Sequence, residues 1–177
     1  MNSAIYGIGQ MLSNYAQAFG MKTVYYDPFL DKKFDSELSA ASRVSSLQEL
    51  CSLADIVFLV ASHSTDYSST YPILKRESLM NLKSSAIVVN VSRGSLLDED
   101  ALADLISDGR IFGAGIDVLS REESNPDNLS RLQELQKEGY NVIVTPHIGG
   151  MCSDAFEKTN RLIAQRLNSE LMHRNGR

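Results

Sequence analysis

No apolar run in this chain approaches the roughly 18 residues needed to span a bilayer, and the N-terminus lacks the basic and apolar regions of a signal peptide. No membrane partner is expected. Cysteine is scarce: Cys51 and Cys152 stand far apart, without CxxC or histidine spacing. That predicts no metal site and a reduced, cytoplasmic compartment. Both thiols are expected to be buried or half-buried. Positive charge is also in deficit, with 17 Lys and Arg against 22 Asp and Glu and a net charge of −5. No basic run offsets it, so nucleic-acid binding is not expected. Internal repeats and low-complexity segments are absent.

What is present is ordinary globular material. Hydrophobic residues make up 43% and charged residues 22% of 177, enough for one well-buried domain, 1–177, and short for two. Apolar runs with strand character recur at Ala4–Tyr6, Thr23–Tyr26, Asp55–Val60, Ala86–Val91, Ala114–Val118 and Asn141–Val144. Between them lie helical segments: Leu12–Phe19 with Gly20 at its C-cap, Leu47–Leu53 with Ser45 or Ser46 as N-cap, Glu77–Leu82, Asp98–Ser107 with Gly109 beyond it, and a final amphipathic helix over Ser153–His173. Arg131–Glu138 reads as the solvated face of a further helix. Leu30–Ser46 is polar and reads as a surface connection with a short helix, and Ala61–Pro72 as a long loop. The unbroken apolar run at Asp55–Val60 suits a parallel sheet covered on both faces. This alternation predicts an α/β fold of the Rossmann type, a doubly wound parallel sheet in three layers.

The stretch Ala4-Ile5-Tyr6-Gly7-Ile8-Gly9 organises the chain. A strand that breaks into Gly-x-Gly and runs into a helix, with a carboxylate about 20 residues on, is a dinucleotide-binding fingerprint. Gly7 permits the turn, Gly9 lets the backbone approach a pyrophosphate, and the helix N-terminus offers N–H donors to the anion. Asp27, at the end of the next apolar run, would accept hydrogen bonds from the adenosine ribose and repel a 2′-phosphate, which favours NAD over NADP. The third glycine position holds Leu12. A larger residue there pushes the helix outward or loosens the phosphate turn, and is expected to weaken cofactor affinity.

Three polar groups follow three separate strands: Arg93, Glu122 and His147. In an open parallel sheet those ends converge on one crevice. Arginine offers a planar fork for a substrate carboxylate. A histidine beside a carboxylate shuttles a proton near neutral pH.

The motifs Val89-Asn90-Val91-Ser92-Arg93-Gly94-Ser95-Leu96-Leu97-Asp98-Glu99-Asp100-Ala101-Leu102, Gly113-Ala114-Gly115-Ile116-Asp117-Val118 with Glu122, and Thr145-Pro146-His147-Ile148-Gly149-Gly150 resemble the D-isomer-specific 2-hydroxyacid dehydrogenase family. The whole chain is similar to that family's nucleotide-binding domain. The resemblance implies that Arg93 holds and polarises a 2-oxo acid, that His147 donates or accepts the proton as the partner of Glu122, and that Asp117 lies at the nicotinamide end. It implies NAD contacts from Gly7, Gly9, Gln10, Met11, Asp27, Ser62, Val91, Ser92, Arg93, Asp117, His147 and Gly150. It also implies a homodimer, and a substrate domain that this chain lacks. The pattern departs at Ser62 and Glu123, where the family usually has proline, and at Cys152, where it often has threonine. The same resemblance extends to corepressors built on this fold, so a non-enzymatic NAD-sensing or interaction module is the alternative reading.

Overall fold

The structure, a computed structural model, describes residues 8–31, 41–61, 72–120 and 129–175. They fall into two compact units, Met1–Thr145 and Pro146–Arg177. The expected strand Ala4–Tyr6, most of the loop Ala61–Pro72, Gly7, Ser62 and Glu122 lie outside the described residues.

The first unit alternates helices and strands: α1 Gln10–Ala18, β1 Thr23–Tyr25, β2 Ala41–Arg43, α2 Leu47–Leu53, β3 Ile56–Leu59, α3 Arg76–Leu79, β4 Ile87–Asn90, α4 Glu99–Ser107, β5 Gly113–Ile116, α5 Arg131–Glu138 and β6 Val142–Val144. Strands β3-β4-β5-β6 form one sheet in that order and β1-β2 a second. All the pairings are parallel; Val57 stands opposite Val88, Val88 opposite Ala114, and Ala114 opposite Val142. Parallel neighbours need crossover connections, and α3, α4 and α5 supply them. This is the Rossmann-like α/β architecture that the alternation predicts.

Local chemistry sets the helix ends. Ser46 caps α2 by accepting the Glu49 N–H at 3.1 Å, while the Glu49 carboxylate reaches back to the Ser45 N–H and hydroxyl at 2.8 and 2.6 Å. Those bonds, the hydroxyl first, hold the Glu49 carboxyl below its ordinary pKa. Asp98 caps α4 through the Ala101 N–H. Ser130 and Gln133 form a reciprocal capping box on α5. At the other end of α1, Gly20 takes a φ of +75°. The N–H groups of Gly20 and Met21 then return to Gln17 and Ala16, closing a Schellman turn.

One face of the four-stranded sheet carries the core. Val57, Leu59, Val88, Ala114, Ile116 and Val142 meet Cys51 of α2, Leu79 of α3, Leu102 and Ile106 of α4, and Leu132 and Leu135 of α5, all buried. On the surface, the Asp104 carboxylate of α4 bridges Arg76 of α3 and Arg131 of α5. The Arg76 guanidinium, then that of Arg131, holds its carboxyl below the usual range. On the other face Ile56, Phe58 and Ile143 are exposed, while Ile87, Val89 and Gly115 are half-buried.

Three expectations change. Ala41–Arg43, read as part of a surface connection, forms β2 because its backbone completes a parallel ladder with β1. The helix expected at Glu77–Leu82 is α3, a single turn ending at Leu79. Cys152 is exposed, since it stands in the segment before a helix whose own apolar residues face solvent, whereas Cys51 is buried.

The second unit is the segment from Pro146 and helix α6, Ser153–Asn175. The helix runs two residues beyond its expected end. Its apolar residues Phe156, Leu162, Ile163 and Leu167 are exposed. No described helix is long and apolar enough to cross a membrane.

Burial pushes the Cys51 thiol up to about 11, so it stays protonated and shielded at neutral pH. Titration of the native chain with a disulfide reagent should release one equivalent of chromophore, from Cys152, and a second only on denaturation. Two equivalents from the native protein would show that the α2 face opens readily.

Candidate functional site

Four parallel strands that stop together leave backbone groups without ladder partners, and buried groups of this kind must be satisfied locally. Asn90, the last residue of β4, does this with its side chain. It is 0% exposed. Its Nδ2 donates to the Arg93 carbonyl at 3.0 Å, and its Oδ1 accepts the Ser92 N–H at 3.0 Å. Its backbone carbonyl takes the Asp117 N–H from beyond β5 at 2.9 Å. The Ser92 hydroxyl donates to the Ala61 carbonyl beyond β3. From beyond β6, the Thr145 N–H reaches the Ile116 carbonyl at 2.9 Å, and its hydroxyl donates to the Asp117 carboxylate at 2.5 Å. The carboxyl ends of β3, β4, β5 and β6 are thereby laced into one rim, the region where open α/β sheets take ligands.

Arg93 projects from that rim. Its backbone is extended, with φ −142° and ψ 141°, and its side chain is exposed, with Nη1 donating to the Ser92 carbonyl at 2.7 Å. Among the described residues no carboxylate pairs with it. The chain around it is held tightly. A Cβ on Gly94 would stand 2.1 Å from the Ser120 backbone nitrogen, so only glycine lets the two segments approach this closely. Across that contact the Glu99 carboxylate accepts the Ser120 N–H and hydroxyl at 2.6 and 3.0 Å. Downstream, the Ile73 and Leu74 N–H groups reach the Leu96 carbonyl, and Asp98 returns a bond to Leu74. An exposed cationic tip thus stands on a fixed backbone.

Asp27 lies just past β1 and is 4% exposed. Its Oδ1 accepts the Phe29 and Leu30 N–H groups at 2.9 and 3.2 Å, so the carboxylate also closes its own turn. Gly9, buried and with helical angles, stands at the N-cap of α1, followed by half-buried Gln10 and exposed Met11. Among the described residues that helix has no side-chain cap, and its first turn holds no acidic residue. Its N-terminus is therefore suited to an external anion. Leu12 is half-buried and Ser13 buried.

The first unit thus brings Val91, Ser92, Arg93 and Asp117 together on the rim. His147 and Gly150 belong to the second unit. His147 is the one non-glycine with positive φ among the described residues, at +52°. It follows Pro146 and is half-buried. Left-handed backbone at a side-chain-bearing residue stores strain of order 1–3 kcal/mol and concentrates at functional positions. Gly150 is exposed, without positive φ, and a Cβ there meets nothing within 4 Å. No described cluster of His, Cys, Asp or Glu could hold a metal.

Sequence reasoning left Asn90, Glu99 and Thr145 without roles. The one available signal was Asn90, a polar residue closing an otherwise apolar strand; the partners of the other two are distant in the chain. The Asn90→Ala variant should lose about 1–3 kcal/mol for each backbone group left unpaired, measured by urea unfolding. A loss under about 0.5 kcal/mol would place it among ordinary surface changes and deny the amide its role in the rim.

This arrangement has counterparts among known proteins. Residues 5–149 match the model of the D-isomer specific 2-hydroxyacid dehydrogenase, NAD binding domain. The chain is 39% identical to D-3-phosphoglycerate dehydrogenase of Haemophilus influenzae, over 85% of this chain and 34% of that one. It is 32% identical to glyoxylate reductase of Pyrococcus horikoshii, over 90% of this chain and 44% of that one. Among solved structures, the NAD-complexed D-isomer-specific 2-hydroxyacid dehydrogenase of Lactobacillus delbrueckii ssp. bulgaricus superposes with a TM-score of 0.68 at 28% identity, over 81% and 44% of the two chains. The chain thus spans less than half the length of each of these relatives. It belongs to the D-isomer-specific 2-hydroxyacid dehydrogenase family, of which it carries the NAD-binding domain.

Proposed function

We propose that this chain is the cofactor-binding part of an oxidoreductase that interconverts a small 2-hydroxy acid and its 2-oxo acid with NAD. The observation that carries the reading is Arg93, exposed on the laced rim with no carboxylate partner among the described residues. A cation held on a fixed backbone at the ligand-binding edge suits a substrate that brings its own carboxylate.

The donor set suits the dinucleotide. The uncapped start of α1, with Gly7, Gly9, Gln10 and Met11, would receive the pyrophosphate, and Asp27 the adenosine ribose. Ser62, Val91, Ser92, Asp117 and Gly150 would line the remainder. When bound, NAD would supply the acceptor for the hydride leaving C2 of the hydroxy acid. Arg93 would grip the substrate carboxylate and favour the developing oxo group. His147 would take the hydroxyl proton in oxidation and return it in reduction, with Glu122 orienting the imidazole and stabilising its charged form. Oxidation then converts hydroxy acid and NAD to oxo acid, NADH and one proton. The side-chain selectivity of the reaction would come from a substrate domain completing the cleft. The two free thiols support a cytoplasmic setting. The exposed apolar stripe Ile8, Met11, Tyr15 and Phe19 on and beside α1 supports association into a homodimer.

Supplying the substrate domain of a relative, in trans or by fusion, should yield NADH-dependent reduction of a 2-oxo acid. His147→Ala should then lower turnover by about 10²–10⁴-fold and leave NADH binding nearly unchanged. Arg93→Ala should weaken both substrate affinity and turnover. A folded fusion that binds NADH yet reduces no member of a broad 2-oxo acid panel would instead favour the NAD-sensing module.

Sedimentation tests association separately. A dimer at micromolar concentration is expected, and a strict monomer at high concentration would oppose it.

A further inference from the structure

The turn that carries Asp27 is held from a second strand. Arg43 ends β2 in register with Tyr25 of β1. Its Nη1 donates to the Asp27 carbonyl and its Nη2 to the Leu30 carbonyl, both at 3.0 Å. The guanidinium carbon lies 5.2 Å from the centre of the buried Tyr25 ring, within range of a cation–π contact. From inside the same turn, Asp27 Oδ1 holds the Phe29 and Leu30 N–H groups. Residues 27–30 are therefore closed by their own carboxylate and clamped across both ends by one planar cation.

We infer that Arg43 is a positioning residue for cofactor selection: by clamping the Asp27–Leu30 turn, it sets the carboxylate where it accepts the adenosine ribose and turns away a 2′-phosphate. The inference rests on the reading of Asp27 as the ribose acceptor. The requirement is for arginine in particular. Bridging two carbonyls while lying against an aromatic face needs a planar fork with several fixed donors, and a lysine ammonium is a compact point charge on a flexible stem. With both terminal nitrogens engaged by backbone carbonyls, the cation acts on the turn.

Calorimetric titration of the whole chain with NADH and with NADPH tests this. The chains compared are wild type, Arg43→Met, Arg43→Lys, Asp27→Asn and the Arg43→Met/Asp27→Asn double variant. Wild type should prefer NADH, and Asp27→Asn should erase the preference. Arg43→Met should weaken NADH roughly tenfold while NADPH changes little, so that the ratio of the two constants falls. Arg43→Lys should not restore the ratio. In the Asp27→Asn background, Arg43→Met should leave it unchanged, since its effect passes through the carboxylate. If Arg43→Met does not fold, Arg43→Lys, which keeps stem and charge, carries the comparison.

An unchanged ratio in both Arg43 variants, with the ratio lost in Asp27→Asn, would overturn the role of Arg43 alone. Selective loss of NADPH binding in Arg43→Met would show a phosphate receptor and overturn the clamp. A ratio unmoved by Asp27→Asn, or no binding of either dinucleotide by wild type, would overturn the reading of Asp27 and this inference with it.

Discussion

Strands that end together must satisfy the backbone groups they release, and the fold meets that constraint with a buried side-chain amide. Asn90 acts as a piece of extra backbone, giving a donor to Arg93 and an acceptor to Ser92 while its own carbonyl takes the Asp117 N–H. The neighbouring rim contacts, Ser92 to Ala61 and Thr145 to Asp117, extend the same solution across the sheet. An amide suits the role because one end donates and the other accepts. A hydrophobic residue would leave both backbone groups unpaired, and a carboxylate would set charge against a carbonyl.

From that rim the division of labour between core and site follows. The buried face of the sheet, with Leu102, Leu132 and Val88 fully enclosed, supplies the stability that lets the strand ends carry exposed polar groups. Close approach at Gly94 and the Glu99–Ser120 bonds then fix the loop backbone, so that the freedom left to Arg93 is in its side chain alone. A fixed backbone would limit the ordering cost of capturing an anion to that of the Arg93 side chain. The strained backbone of His147 is consistent with a residue held for chemistry.

Much of the architecture was legible because its signals are local. Ser45 or Ser46 before Leu47, Asp98 at the start of the next helix and Gly109 beyond Ser107 mark helix ends by local chemistry; the structure caps the first with Ser46 and makes Asp98 the cap rather than the first residue of the other. The run Ala86–Val91 marks β4 by composition. Elements whose stability comes from partners were less legible. Ala41–Arg43 has polar residues and three positions, and exists as a strand only because β1 lies beside it. The shortness of α3 reflects the turn after Leu79, where Leu82 bonds back to the Leu79 carbonyl. In the site, motif residues such as Arg93 and Asp117 were readable, whereas Thr145 and Arg43 depend on contacts 28 and 16 residues away. Glycine at position 94 belongs to the motif, but its reason, the Ser120 backbone against it, is visible only in the fold.

A dinucleotide received along the carboxyl ends of the strands, from the start of α1 to the rim built on Asn90, would perturb the amides that line that path. Amide chemical-shift mapping during titration with NADH tests it most directly. Perturbations should concentrate at Gly9, Gln10, Asp27, Ser92, Arg93 and Asp117, with the opposite ends of the strands, around Ser85 and Phe112, unmoved. Shifts centred on that opposite edge, or none at saturating NADH, would contradict it.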